Sequence, residues 1–244
     1  GSNGYTATIA NSAYHSLQIT AERKAADITF LAAYTFSKAM DDSSGFNDWI
    51  NFSNHRLSRS LSNYDLTHNF VVSYNWAVPF DRAFGTLPKR LTRGWNLIGI
   101  TRFATGFPVF IRQSGDFSLT GSGSTDVPNF VGPLVTQDPR RAAPDGTPNM
   151  YFSRDAFQSG PLGGFGNSNR RFFHGPGFNN WDFALHKTTT LREGMSLEFR
   201  AEFFNVANHA QFYNPEGNFR NDRFGFVGGA RDPRIGQVAL KFLF

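Results

Sequence analysis

The sequence predicts an all-β protein whose antiparallel strands form part of the wall of a transmembrane barrel. Segments of roughly nine to eleven residues alternate apolar and polar side chains, as tilted membrane-spanning strands do. The connections between these segments alternate between short and long. In the C-terminal segment, Val238, Leu240, Phe242 and Phe244 fall on one side of an extended strand. A soluble sheet rarely leaves such an apolar edge, whereas a barrel wall turns it toward lipid.

Seven segments show this alternation. They cover residues Leu17–Glu22, Asp27–Ser37, Thr67–Val78, Trp95–Phe103, Trp181–Thr189, Met195–Phe203 and Arg234–Phe244. A soluble sheet with one wet face has the same period, so the period alone does not decide between the two. The scarcity of charge on the apolar side favours the membrane. Lys187 is the clear exception, and it lies near a short turn where its amine can snorkel.

Aromatic side chains recur near the ends of these segments, which is typical of residues at a membrane–water interface. The predicted interface residues are Tyr34, Phe36, Trp76, Trp95 and Trp181. For the C-terminal strand, Val238, Leu240, Phe242 and Phe244 are predicted to face lipid.

The connections predict a topology. Short turns at Lys24–Ala26 and Arg192–Gly194 are expected on the periplasmic side, and the long loops, at approximately 38–66, 104–180 and 205–234, outside the cell. Seven crossings are an odd number, and complete single-chain bacterial barrels have an even one. A further hairpin within residues 104–180, around Pro108–Arg112 and Asn129–Val135, would raise the count to nine and keep it odd. We therefore expect residues 1–244 to be a segment of a larger barrel.

Composition agrees with a loop-rich β protein. The 244 residues include 16% aromatics, 24 Gly and 12 Pro, and the mean hydropathy is −0.37. The chain has no cysteine, which excludes disulfides and thiolate metal sites. The net charge is +5, but the basic residues are scattered through the predicted loops rather than gathered in a patch, so we expect no nucleic-acid partner.

No set of residues indicates catalysis. Asp41-Asp42-Ser43-Ser44 could begin a calcium loop, but it lacks the alternating ligands and the distal Glu, so a solvated loop is favoured. The six histidines do not occur at metal-ligand spacing. Gly160–Gly166 lacks the strand-to-helix context of a phosphate-binding loop. We expect no enzyme activity, no metal and no cofactor.

The best polar constellation is Glu198, Arg200 and Glu202, which share one face of a predicted strand. Arg102 is expected to join them from another strand. In a barrel this face lines the lumen, where opposite charges pair along and across strands. A structural salt-bridge ladder is favoured over a substrate contact, because an open wall lacks the pocket of a general acid–base pair.

Several motifs resemble the C-terminal barrel of Oar-like TonB-dependent outer-membrane receptors. The most specific is Phe199-Arg-Ala-Glu-Phe-Phe-Asn-Val-Ala-Asn-His209, together with the C-terminal strand. The others, in the same order as in that family, are Ala13–Ile19, Ala33–Asp42, Phe165–Arg170, Gly175–Phe178 and Arg231–Arg234.

The resemblance implies the last seven or so strands of a 22-stranded barrel in the bacterial outer membrane, filled by a plug and driven by TonB. The plug and the TonB box are not in this sequence, so the expected partners are the rest of the receptor and, through it, TonB. It also implies that Leu240, Phe242 and Phe244 are read by the outer-membrane assembly machinery. The expected cargo is a bulky nutrient, such as an oligosaccharide or a peptide.

The loops carry aromatic and basic residues that could contact a ligand. Arg170, Arg171, Phe172 and Phe173 are predicted to bind either sugar faces and acidic groups or lipopolysaccharide phosphates, the second being favoured because it needs only charge. A soluble all-β adhesin or carbohydrate-binding module is the alternative function, in which the aromatics would form a core and a binding face.

Overall fold

The computed structural model describes residues 8–46, 48–51, 54–121, 126–141, 146 and 149–244. Ten strands, three one-turn helices and a 3-10 turn make up its regular structure. The strands are β1 (Ser12–Lys24), β2 (Ile28–Asp41), β3 (Ser60–Leu61), β4 (His68–Ala77), β5 (Trp95–Ala104), β6 (Asn129–Phe130), β7 (Phe157–Gln158), β8 (Phe178–Arg192), β9 (Met195–Phe204) and β10 (Ile235–Leu243). The helices are α1 (His55–Ser58), α2 (Phe80–Ala83) and α3 (Lys89–Thr92), and the 3-10 turn covers Arg154–Ala156.

The seven long strands form one antiparallel meander in the order β1-β2-β4-β5-β8-β9-β10, which we call the wall. The wall confirms the predicted all-β antiparallel class and the seven predicted segments. Two of its strands extend further than predicted toward the long connections. β2 continues to Asp41, and β8 begins at Phe178.

The register gives every wall strand the predicted faces. Residues that pair directly across an antiparallel ladder lie on the same side of the sheet. Phe70 pairs with Tyr34 on β2 and with Phe103 on β5, whereas Asn75 pairs with Thr29 and Ile98. The first set belongs to an apolar face that continues across all seven strands, and the second set to a more polar face.

The apolar face is open to its surroundings. Leu17 and Ile19 on β1 are 56% and 55% exposed, and Val238 and Leu240 on β10 are 73% and 68% exposed. Only two of the buried hydrophobic residues, Ala39 and Ala201, lie in wall strands among the described residues. A continuous exposed apolar surface of this kind requires a non-aqueous surrounding.

The short connections lie at one end of the wall and the three long ones at the other. The long connections cover residues 42–67, 105–177 and 205–234, and we call them together the cap. The further hairpin considered within residues 104–180 does not form a pair of wall strands, so the wall has seven strands and not nine. Instead, Asn129–Phe130 pairs with Phe157–Gln158 in a separate two-stranded sheet, and Pro108 makes an isolated bridge to His174.

The hydrophobic core of the molecule is in the cap. Val109, Ile111, Phe152, Phe157 and Phe224 are each at most 4% exposed and pack together. Phe152 and Phe157 meet Phe224 edge-to-face, with centroid distances of 5.0 and 5.2 Å. Such pairs add about 0.5–1.5 kcal/mol each to the area that they bury. The cap is therefore a folded unit rather than a set of independent loops.

One glycine shows how closely the second and third connections approach. Gly225 has a φ of +88°, and a Cβ added to it would lie 2.1 Å from the carbonyl oxygen of Phe152. Its carbonyl oxygen accepts a 2.8 Å hydrogen bond from the backbone N–H of Tyr151. Only glycine tolerates both the left-handed conformation and the contact.

Candidate functional site

The polar face of β9 carries the predicted charged ladder. Nη2 of Arg200 lies 2.9 Å from Oε1 of Glu198. Glu202 accepts a hydrogen bond from Gln237 on β10, and its Oε1 lies 3.7 Å from Nε2 of His186 on β8. These residues form charge and hydrogen-bond contacts along and across three neighbouring strands.

Arg102 lies on the same face but does not join the ladder. It pairs in register with Asn180, four residues along β8 from Ala184, which opposes Glu202. Its Nε donates a 2.9 Å hydrogen bond to Oδ1 of Asn69, and its Cζ lies 5.4 Å from the ring centroid of Phe178. Arg102 therefore belongs to the junction between wall and cap.

The five predicted interface aromatics all lie on the apolar face, in two groups. Trp76 and Trp95 are at the short-connection end, where Nε1 of Trp95 donates to the carbonyl of Leu91 at 2.7 Å. Nearer the cap are Tyr34, Phe36 and Trp181, and the hydroxyl of Tyr34 lies 2.8 Å from Nδ1 of His68. Two aromatic levels with an apolar zone between them are the pattern of a membrane-spanning barrel.

Lys187 is placed as expected for a snorkelling residue. It opposes Trp95 at the short-connection end, and its ammonium lies 5.8 Å from the centroid of the Trp95 ring. The ammonium donates to the carbonyls of Arg93 and Thr188 and to Oγ1 of Thr189, at 2.6, 3.1 and 2.9 Å. These acceptors satisfy its three N–H groups and account for a cation on this face.

Arg170 is the largest fully buried side chain among the described residues. It is 1% exposed, and its guanidinium crosses from the second long connection to the first. Nε donates to the carbonyl of Ser58 at 2.8 Å, Nη2 contacts the carbonyl and Oδ1 of Asp41, and Nη1 contacts the carbonyl and Oδ1 of Asp48. Five N–H donors thus meet five acceptors, which is the condition for burying a guanidinium without a large penalty.

Arg171 continues the same network. Its two terminal nitrogens each lie 3.0 Å from an oxygen of Asp48, and its Cζ lies 4.6 Å from the centroid of Phe110. Burial raises the pKa of Asp48, but hydrogen bonds from Arg171 and Arg170 outweigh it and hold that pKa below its ordinary value. Two cations and two carboxylates therefore form a neutral buried cluster.

The predicted surface role of the four loop residues does not match their positions. Arg170 and Arg171 are 1% and 5% exposed, and they pair with carboxylates of the protein itself. Phe172 and Phe173 pack against the core of the cap, and Phe173 meets Phe152 at a centroid distance of 5.2 Å. The structure thus gives all four a place inside the cap, where they join its connections.

The prediction of a solvated loop at Asp41–Ser44 is wrong. Asp41 is 1% exposed and pairs with Arg170, and Asp42 is 6% exposed. Asp42 accepts a 2.7 Å hydrogen bond from the backbone N–H of Asn11, and its Oδ2 lies 3.3 Å from Nδ1 of His55. Burial raises the pKa of Asp42, but the Asn11 and His55 hydrogen bonds lower it below its ordinary value.

A further buried carboxylate, that of Asp65, joins the cap to β2. Oδ1 of Asp65 accepts a hydrogen bond from the backbone N–H of Ala39. Its Oδ2 lies 2.8 Å from Nε2 of His174 in the second long connection. The carboxylates of Asp41, Asp42 and Asp65 therefore hold the base of the cap against the wall. No group of three or more metal-binding side chains occurs among the described residues.

Sequence reasoning missed this network because its members are far apart in the chain. Arg170 lies 129 residues from Asp41 and 122 from Asp48. The available signal was local. Asp41 lies near the end of the Ala33–Asp42 motif, and Arg170 lies at the end of the Phe165–Arg170 motif. Which carboxylate faces which guanidinium depends on loop packing, which periodicity does not report.

An antiparallel wall with one exposed apolar face, two aromatic levels and a folded cap at one end defines an integral β-barrel protein of the outer membrane. The family model for the outer membrane beta barrel domain matches residues 1–237, and the chain belongs to this family. No curated protein and no solved structure is significantly similar to it. No helix within the described residues is long and apolar enough to cross a membrane. A soluble adhesin or carbohydrate-binding module does not fit this family.

Proposed function

We propose that the chain forms the wall and the extracellular vestibule of a TonB-dependent receptor that imports a bulky nutrient. The observation that supports this most is the cap, in which three long connections share one core and one buried ion-pair cluster at a single end of the wall. A rigid cap above a polar wall offers a binding chamber at the entrance of a barrel.

The polar face supports the same proposal. Charged and hydrogen-bonded side chains at Glu198, Arg200 and Glu202 suit a surface in contact with water or with a polar plug. Val238, Leu240, Phe242 and Phe244 lie on the opposite side, where they would face lipid and present the strand to the assembly machinery. The motif resemblance contributes the coupling to TonB, the plug and the 22-stranded barrel.

The test uses the complete gene product in detergent. We expect it to be retained by the immobilised periplasmic domain of TonB, and the 1–244 chain alone not to be retained, because the TonB box lies elsewhere in the receptor. A complete product that contains no plug, or that the TonB domain fails to retain, would refute the receptor proposal while leaving the barrel wall intact.

A further inference from the structure

A small cavity lies where the wall meets the cap. Its volume is about 360 Å³, and it is lined by Arg102 and Phe178 of the polar face and by Tyr213 and Arg231 of the third long connection. Cζ of Arg102 lies 5.4 Å from the centroid of Phe178, and Cζ of Arg231 lies 5.9 Å from the same centroid and 6.0 Å from that of Tyr213. Two guanidinium groups therefore flank one aromatic ring.

The backbone holds the cap side of this cavity in place. The N–H of Tyr213 donates to the carbonyl of Gly229 at 3.0 Å, and the N–H of Arg231 donates to the carbonyl of Gln211 at 2.8 Å. These bonds form a short antiparallel ribbon within the third connection. Its geometry fixes the Cα positions of Tyr213 and Arg231, so both side chains start from a rigid base.

A larger cavity follows on the cap side. Its volume is about 620 Å³, and Asn214 lines both cavities. Arg112 and Arg223 line the larger one together with Phe110 and Phe226. Both volumes fall in the range of roughly 300–1,000 Å³ that is typical of small-molecule sites. Each cavity therefore brings arginine side chains and aromatic rings together.

The four arginines have no carboxylate partner. Within the described part of the chain, no Asp or Glu lies within ion-pair distance of Arg102, Arg112, Arg223 or Arg231. Arg171 also lines the larger cavity, but Asp48 neutralises it. The one lining carboxylate, Glu216, accepts hydrogen bonds from the backbone N–H of Asn218 and from Nδ2 of Asn221.

We infer that these two cavities bind an acidic oligosaccharide, with the four arginines as the donors to its carboxylates. Unpaired guanidinium groups in a concave site attract anions, and their planar N–H pairs match a carboxylate. Rings beside them offer apolar surface to the C–H faces of sugars. Arginines and aromatic rings in two cavities that share Asn214 fit a chain of repeating acidic sugar units better than a single anion.

The inference rests on the proposed import function for its biological meaning, but its test does not need transport. Tetragalacturonate is titrated into the complete gene product in detergent, and binding is followed by calorimetry. We expect binding that weakens as salt rises, and no binding of the neutral maltotetraose. The double variants Arg102→Gln with Arg231→Gln, and Arg112→Gln with Arg223→Gln, should each lose at least about tenfold in affinity, because charge-assisted hydrogen bonds are removed.

Arg141→Gln is the matched control, since Arg141 is an exposed cap arginine outside both cavities, and it should bind as the parent does. Circular dichroism confirms that each variant is folded. Equal affinity for tetragalacturonate and maltotetraose would overturn the inference, as would double variants that bind like the parent. Tighter binding of tetraglutamate than of tetragalacturonate would also overturn it, in favour of an acidic peptide. None of these outcomes depends on TonB, so the receptor proposal is judged separately.

Discussion

At the scale of single residues, Arg170 shows how a charge can organise a cap. A buried guanidinium stabilises a fold only when its partners satisfy it, and removal of one partner from such a pair leaves the other charge buried and alone. Here Arg170 lies in the second long connection, and its partners are Ser58 and Asp48 in the first and Asp41 at the end of β2. Arg170 therefore determines how these two connections meet, rather than simply adding to stability.

We expect Arg170→Met to loosen the cap and leave the wall intact. The change removes the guanidinium from Asp41 and from three backbone carbonyls and leaves Asp48 with Arg171 as its remaining cation, at a cost of about 3–5 kcal/mol. Cleavage of the folded protein by chymotrypsin should accelerate within the cap, while far-ultraviolet circular dichroism keeps its β signal. Arg140→Met is the control, because Arg140 is exposed and its carboxylate partner among the described residues is the loop residue Asp138. Equal cleavage of the two variants would contradict this role.

The same cluster predicts a dependence on acid. The pKa of Asp48 is lowered from 3.8 in the folded protein, so its ionised form is favoured by folding. A depressed carboxyl pKa contributes stability that is present above the unfolded value and is lost as the pH falls through the folded one. The melting temperature of the cap, read from the near-ultraviolet signal of its aromatics, should stay level down to about pH 4 and fall below it.

Asp48→Asn provides the comparison for this acid dependence. Its cap should melt at a lower temperature at neutral pH and should show a smaller fall in acid, because the group that titrates is gone. A parent protein that lost most of its cap stability between about pH 7 and pH 5 would rule out Asp48 as the cause, since the depressed pKa places the transition lower.

At the scale of the elements, the wall was predictable and the cap was not. Period-two alternation fixes which face a side chain occupies, and it assigned every wall strand correctly, Thr67–Val78 to β4 and Met195–Phe203 to β9 among them. The cap depends on contacts such as Arg154 to the carbonyls of Phe219 and Asn221, which join residues more than sixty positions apart. Local patterns carry no information on such pairs.

The site residues divide in the same way. Glu198 and Arg200 form the predicted salt bridge because they are two positions apart on one strand. Arg102 lies on the same face but not beside Glu198 or Arg200, because the register between β5, β8 and β9 places it next to other residues. The alternation in the sequence determines on which face of the sheet a side chain lies. The pairing of the strands determines which side chains of neighbouring strands lie beside it.

The two faces of β9 can be distinguished chemically. Cysteines placed singly at Glu198, Arg200 and Glu202 should react with a membrane-impermeant maleimide in the assembled receptor, because a lumen wall is reached by water. Cysteines at Leu197, Phe199 and Phe203 should be shielded by lipid. The chain has no native cysteine, so each label reports one position. Equal labelling of both sets would contradict the assignment of the faces.

At the scale of the whole molecule, the two ends of the wall carry different kinds of structure. One end has tight turns and two one-turn helices between β4 and β5. The other end carries the only hydrophobic core found among the described residues and all of its buried arginine–carboxylate pairs. A membrane protein with this asymmetry must be oriented, since only the cap end presents a folded polar surface to its surroundings.

The orientation gives the last prediction. Long connections of bacterial barrels lie outside the cell and short ones in the periplasm, so a tag inserted after the exposed Gly163 in the cap should bind antibody on intact cells. A tag at Gly85, in the connection between β4 and β5, should bind antibody only after the outer membrane is permeabilised. Both sites are exposed, so folding tolerates the insertion equally at each end. Surface exposure of the Gly85 tag would reverse the topology, and it would then place the arginine-lined cavities on the periplasmic side, where they could not meet an incoming sugar.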